Sequence, residues 1–352
     1  MTVFLHVTLG LLTLVLFTIN TYIYFKYKSP SEYSSNDWMS NIPDERPILL
    51  INIPGAHDAG ANVVAAFSEE LARTQNLTIL GLLNAGIRKL DIRVDSFSDV
   101  DTTNDLDLHI CHGIIDCFYL DEKNIMRNLT YKDILLDVKK FLSENPSEMV
   151  IFETKSERGD NDKNYKRAWE ILNKYAGDIF VKFNKSSTLG EVRGKIVSTF
   201  YKLNDDENSN DYHTNIDGGT GLGDIHDKFV GENSYSTWKV SGDLKIKEVQ
   251  EFWNLYNITI EDIEDNFEES IDDLPYTYSI SCTGEHETIL PFPKKQADIV
   301  NKFMLETELI KGNYYGWISI DFIDEFISKK IIESNFYEDN NEINDIINED
   351  SP

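Results

Sequence analysis

Seven polar side chains stand near the ends of apolar runs in this sequence. His57 and Asp58 follow the run INIPGA. Asp91 and Arg93 lie two apart in GIRKLDIRV. His112 closes LDLHICHG, Lys155 follows EMVIFET, and Asp321 sits in GWISIDFI. Each alone has an ordinary structural explanation. Gathered on one rim, the set suits attack on a phosphate diester. Two histidines can serve as general base and general acid. An arginine matches the growing phosphoryl charge with two parallel donors. A carboxylate can hold the base imidazole in one tautomer.

One rim requires a scaffold that brings distant strand ends together. Short β-like runs recur at 47–53, 87–94, 107–111, 149–154, 195–200, 235–240, 276–281 and 315–322. Amphipathic helical patterns separate most of them. In TYKDILLDVKKFLSENP, Ile134, Leu135, Val138, Phe141 and Leu142 share one face. Thr130 with Asp133 signals the start of that helix, and Asn145-Pro146 its stop. Similar faces occur at 164–179, 243–257, 294–310 and 324–335. Eight strands alternating with helices predict a (β/α)8 TIM barrel, with a doubly wound open sheet as the alternative. Barrel sites lie at the C-terminal ends of the strands. On this reading Pro54-Gly55 ends the first strand, and Ala56, Ala59 and Gly60 leave room for a substrate. GGTGLG at 218–223 reads as a rim loop, since no strand leads into it.

The 352 residues carry 61 carboxylates against 33 Lys and Arg, a net charge of −28. That balance argues against a nucleic-acid partner and against electrostatic adsorption to anionic lipid. Three cysteines make no disulfide scaffold; Cys111 and Cys117 are expected as buried free thiols. Residues 3–25 carry no charge and match the roughly 20 apolar residues needed to span a bilayer. Residues 1–28 therefore read as a single-pass membrane anchor, with a cleaved secretory signal as the alternative. Residues 29–45 read as a polar tether, 46–335 as the catalytic barrel and 336–352 as an acidic disordered tail. The chain is expected to act as a monomer.

The ordered series IPGAHDAGA, GIRKLDIRV, HICHG, FLSENPSEMVIFETKSE, RGKIV and GWISIDFI resembles the X-domain of phosphatidylinositol-specific phospholipase C, nearest its bacterial, metal-independent branch. The resemblance spans about residues 46 to 335. It implies a distorted TIM barrel of the phospholipase C-like phosphodiesterase type, no cofactor, and an inositol phospholipid in a membrane as substrate. His57 matches the general base, Asp321 the acid that orients it, and His112 the general acid with Asp58 beside it. Asp91 and Arg93 match the Asp-x-Arg of the second strand. Arg93 stands where the calcium-dependent branch has an acid that binds the ion, so no metal is expected. Lys155 matches a substrate-contacting lysine. Two positions depart from the pattern. STFYK follows GKIV where the bacterial enzymes carry an arginine. Ser236-Thr237-Trp238 replaces an Asp-x-Tyr, leaving Trp238 to stack on a sugar ring without the carboxylate. Set against the resemblance, these departures imply altered headgroup recognition. A glycerophosphodiester or phospholipase D-like barrel and a lapsed lipid-binding protein remain as alternatives.

Overall fold

The computed structural model of the chain describes residues 33–96, 108–200, 242–255, 257–265, 276–280 and 292–336. The anchor expected at 3–25, the glycine-rich stretch 218–223, the strand expected at 235–240, Trp238, Cys282 and the acidic stretch beyond Phe336 lie outside these residues.

Eleven strands are present among them: β1 (Ile53–Ala56), β2 (Lys89–Ser96), β3 (Leu108–His112), β4 (Ile115–Asp116), β5 (Phe118–Leu120), β6 (Met126–Asn128), β7 (Val150–Arg158), β8 (Phe180–Lys182), β9 (Ile196–Phe200), β10 (Thr277–Ser279) and β11 (Trp317–Ile320). Seven of them run parallel in the order β10-β11-β1-β2-β7-β9-β8, the curved wall of a distorted (β/α)8 barrel. The helices Tyr131–Glu144, Asn161–Ala176, Gly242–Leu255, Pro293–Glu306 and Glu325–Glu333 fall where the apolar faces predict them. Thr130 and Asp133 form the expected capping box.

Strand alternation divides the side chains between two environments. Leu90, Ile92 and Val94 of β2, Val150 and Phe152 of β7, and Ile318 and Ile320 of β11 point outward into the apolar layer beneath the helices. Lys89, Asp91 and Arg93 take the other face, as do Glu153 and Ser319. There Lys89 Nζ meets Glu153 Oε2 at 2.5 Å and Ser319 Oγ at 2.9 Å. At the floor, Ile53, Ile151, Val197, Tyr276 and Trp317 close the barrel's lower end.

Four expectations need correction. First, 47–53 is not a strand. Ile48–Leu50 form one turn of 3-10 helix, because Ile48 and Leu49 face the floor core while Leu50 packs with Ile260, Ile263 and Tyr314. Second, Pro54 and Gly55 lie inside β1 rather than ending it. Pro54 lacks an N–H, and the β1–β2 ladder begins only at Gly55, opposite Lys89. Third, β3 is antiparallel to β2 and not a barrel strand. Fourth, from Tyr33 onward the segment read as a tether is packed. Trp38, Met39 and Ile42 are buried in the floor core. Arg88 donates to the Ser35 and Asn36 carbonyls, and Arg193 to those of Met39 and Ile42. Sequence reasoning also missed β8, whose three half-exposed residues are too few to show a period.

Cys111 and Cys117 are buried free thiols. Among the described residues, no helix is long and apolar enough to cross a membrane.

Candidate active site

The candidate rim forms where β1, β2, β7 and β11 end. β1 separates from β2 after Ala56, and Ala59 N–H then bonds the Asp91 carbonyl. Higher on the same edge of β2, β3 enters in the opposite direction, pairing Ser96 with Leu108 and Val94 with Ile110. Running back toward the end of β1, β3 delivers His112 to Asp58. Gly60 lies under this crossing, where a Cβ would come within 2.4 Å of the Ile110 side chain. Ala56 and Ala59 are buried in the outer core. These small residues make room for packing, not for a substrate as the sequence reading proposed.

His57 is the centre of the arrangement. Its Nδ1 lies 2.7 Å from Asp321 Oδ1. Its Nε2 lies 2.6 Å from Arg93 Nη2. Guanidinium can only donate, so Nε2 carries the lone pair and Nδ1 the proton. This is the tautomer a general base needs. Burial disfavours the imidazolium, but Asp321 outweighs it and holds the His57 pKa above the ordinary histidine value.

Arg93 reaches three carboxylates at once: Asp91 Oδ2 at 3.2 Å, Asp58 Oδ2 at 3.4 Å and Glu157 Oε1 at 3.4 Å. Burial works against its charge, yet Asp58 and Asp91 keep it protonated well beyond the usual range. Asp91 answers in kind. Burial would raise its pKa, but Arg93 and His57 hold it well below the usual carboxylate range. Asp91 also accepts the Asp58 N–H at 3.2 Å.

His112 donates from Nδ1 to the Ala72 carbonyl at 2.7 Å, which turns Nε2 toward Asp58 Oδ2 at 3.5 Å. Asp58 is wholly buried, and its backbone adopts φ 47°, a left-handed turn that leads the chain off β1. Burial raises the Asp58 pKa against the pull of Arg93 and His112. Lys155 lies on β7 opposite Arg93 on β2, with Glu157 Oε2 3.3 Å from its Nζ.

The structure thus gathers His57, Asp58, Asp91, Arg93, His112, Lys155 and Asp321. Sequence reasoning missed Glu157, which bridges Arg93 and Lys155. Burial opposes its ionisation, but Arg93 and Lys155 lower its pKa overall. The signal was present: β7 continues to Arg158, so Lys155 and Glu157 share a face at i and i+2. Ser198 and Thr199, where the sequence departs at STFYK, are buried within β9.

No family model matches the chain. It is 30% identical over 172 residues to a 1-phosphatidylinositol phosphodiesterase of Listeria monocytogenes, an alignment covering 47% of this chain and 48% of that one. The chain thus spans about half the length of that relative. A protein of the same name from Staphylococcus aureus is 25% identical over 262 residues, 72% of each chain. The solved phosphatidylinositol-specific phospholipase C from L. monocytogenes superposes with a TM-score of 0.55 at 23% identity, over 87% of this chain and all of that one. The chain is thus similar in sequence to bacterial 1-phosphatidylinositol phosphodiesterases and shares the fold of a solved phosphatidylinositol-specific phospholipase C.

Proposed function

We propose that this chain is a phosphodiesterase that cleaves phosphatidylinositol or a closely related inositol phospholipid without a metal ion. The observation that carries the reading is the position of His57, oriented by Asp321 on one ring nitrogen and presenting the lone pair of the other beside Arg93. His57 Nε2 takes the proton from the inositol 2-hydroxyl, displacing its contact with Arg93. The hydroxyl oxygen then bonds to phosphorus. Arg93 carries the negative charge that grows on the phosphoryl oxygens. His112 gives a proton to the glycerol oxygen as its bond to phosphorus breaks. The products are diacylglycerol and a cyclic inositol phosphate, which water opens in a second pass. Asp91 and Asp58 aim the arginine and the acid imidazole, and Lys155 contacts the substrate.

Metal independence follows from the same cluster. The carboxylates that would draw a cation, Asp58, Asp91 and Glu157, already surround a guanidinium. Residues 3–25 serve in this reading as a single-pass anchor, or as the removed signal of a secreted enzyme. Sequencing the mature N-terminus separates these two. The activity is tested by turnover of micellar phosphatidylinositol, with His57→Ala and His112→Ala as controls. Each substitution is expected to lower kcat on the order of a hundredfold or more. Near-wild-type turnover in either variant overturns the assignment.

A further inference from the structure

The end of helix Glu69–Ala72 and the loop after it touch His112, Asp58 and His57. The Ala72 carbonyl accepts from His112 Nδ1. Thr74 Oγ1 donates to the Asp58 carbonyl at 2.9 Å. Gln75 is wholly buried, and its Nε2 donates to the His57 carbonyl at 2.7 Å and to the Ile320 carbonyl at 3.0 Å. Two carbonyls flank that atom, so the amide orientation is set: the oxygen could not stand there.

The β1–β11 ladder explains why these contacts matter. His57 N–H bonds the Ile320 carbonyl, the last rung between the two strands. In a regular parallel ladder the next rung would run from Phe322 N–H to the His57 carbonyl. Instead, Phe322 turns to φ 51°, a rare conformation for a bulky residue, and gives its N–H to the Thr74 carbonyl at 2.6 Å. Gln75 Nε2 supplies the His57 carbonyl in its place. On the far side, Asn301 Nδ2 donates to the Asp321 and Phe322 carbonyls, each at 3.0 Å. The loop therefore replaces one backbone rung with a side-chain rung, at the position where the Asp321 carboxylate must meet the His57 imidazole.

We propose that Gln75 is a positioning residue for the catalytic base, holding the parted ends of β1 and β11 so that Asp321 and His57 stay in register. This rests on the phosphodiesterase reading given above for its kinetic consequences, and on the geometry alone for its effect on His57.

The test uses the full chain carrying Gln75→Met, which keeps volume and removes both donors, and Gln75→Asn, which keeps the amide but cannot span both carbonyls. Two measurements are made: kcat and KM on micellar phosphatidylinositol against pH, and NMR titration of the His57 imidazole. For Gln75→Met, kcat is expected to fall about ten- to a hundredfold with KM little changed, in keeping with small misplacements at a reacting centre. Its His57 should titrate at lower pH than wild type, because Asp321 no longer supports the imidazolium fully. Gln75→Asn should shift both readouts in the same direction by less. A residue needed only for stability would lower the melting temperature and move neither kcat per folded molecule nor the His57 titration; that outcome in either soluble variant overturns the proposal. If wild type fails to turn over the lipid, the phosphodiesterase reading fails, while the His57 titration still decides the role of Gln75.

Discussion

Two arginines five residues apart on one stretch of chain, one buried and one partly open, have opposite lives. Arg88 lies at the floor. Its Nε pairs with Glu148 at 2.8 Å, its Nη1 donates to the Leu83 and Ile87 carbonyls, and its Nη2 to those of Ser35 and Asn36. Phe141 caps the guanidinium at 4.5 Å. Nothing further can bind there. Arg93 lies at the rim with three carboxylates at the longer distances of 3.2–3.4 Å, a histidine lone pair at 2.6 Å and part of its surface open. A fully satisfied arginine fixes structure. One shared loosely among three carboxylates remains able to turn toward a fourth anion, and a phosphate diester is such an anion.

The contrast can be broken at either end. Arg93→Ala should lower kcat by about 10²–10³, measured on micellar phosphatidylinositol. Arg88→Met should leave kcat per folded molecule unchanged and lower stability by about 3–5 kcal/mol in urea unfolding, since it strands the buried Glu148. Equal kcat losses in the two variants would dissolve the distinction.

Asp321→Asn comes next in size, with kcat reduced on the order of a hundredfold. It also tests a sign. A base works deprotonated, and Asp321 raises the His57 pKa, so if His57 is the base the acid limb of the wild-type profile should lie above the ordinary histidine value. Removing that charge should move the limb to lower pH. A limb that stays in place means that His57 is not the titrating base.

On the proposed role of Lys155 as a substrate contact, Lys155→Ala should raise KM several-fold and change kcat less, since Glu157 already balances its charge. The smallest expected effect is none. EDTA should leave turnover unchanged, because Arg93 fills the place among the acids that an ion would need. Loss on chelation with recovery in calcium would make Arg93 an onlooker.

How far these placements could be read before the fold was known depended on whether periodicity carried them. His57, Asp91, Arg93 and Asp321 were legible because each sits at a defined phase of a strand whose other face is apolar. His112 was legible as a residue but not in its route, since a single run of five cannot reveal that β3 comes back antiparallel. Glu157 was missed by ending β7 at Thr154, four residues early. Thr74 and Gln75 left no trace, because a loop that docks on two strand ends obeys no period. At the floor, the polar composition of 29–45 masked the few anchors that decide its fate, Trp38, Met39 and Ile42. Helix Tyr131–Glu144 was legible throughout because its caps and its face agree.

The packed N-terminal segment gives the molecule a direction. Trp38 bonds the Gly86 carbonyl just ahead of β2, and Met39 N–H bonds Glu148 just ahead of β7, so both mark the end of the barrel away from His57. Tyr33 packs on the same floor core, so an attachment made at that residue would leave the His57 rim facing away from it.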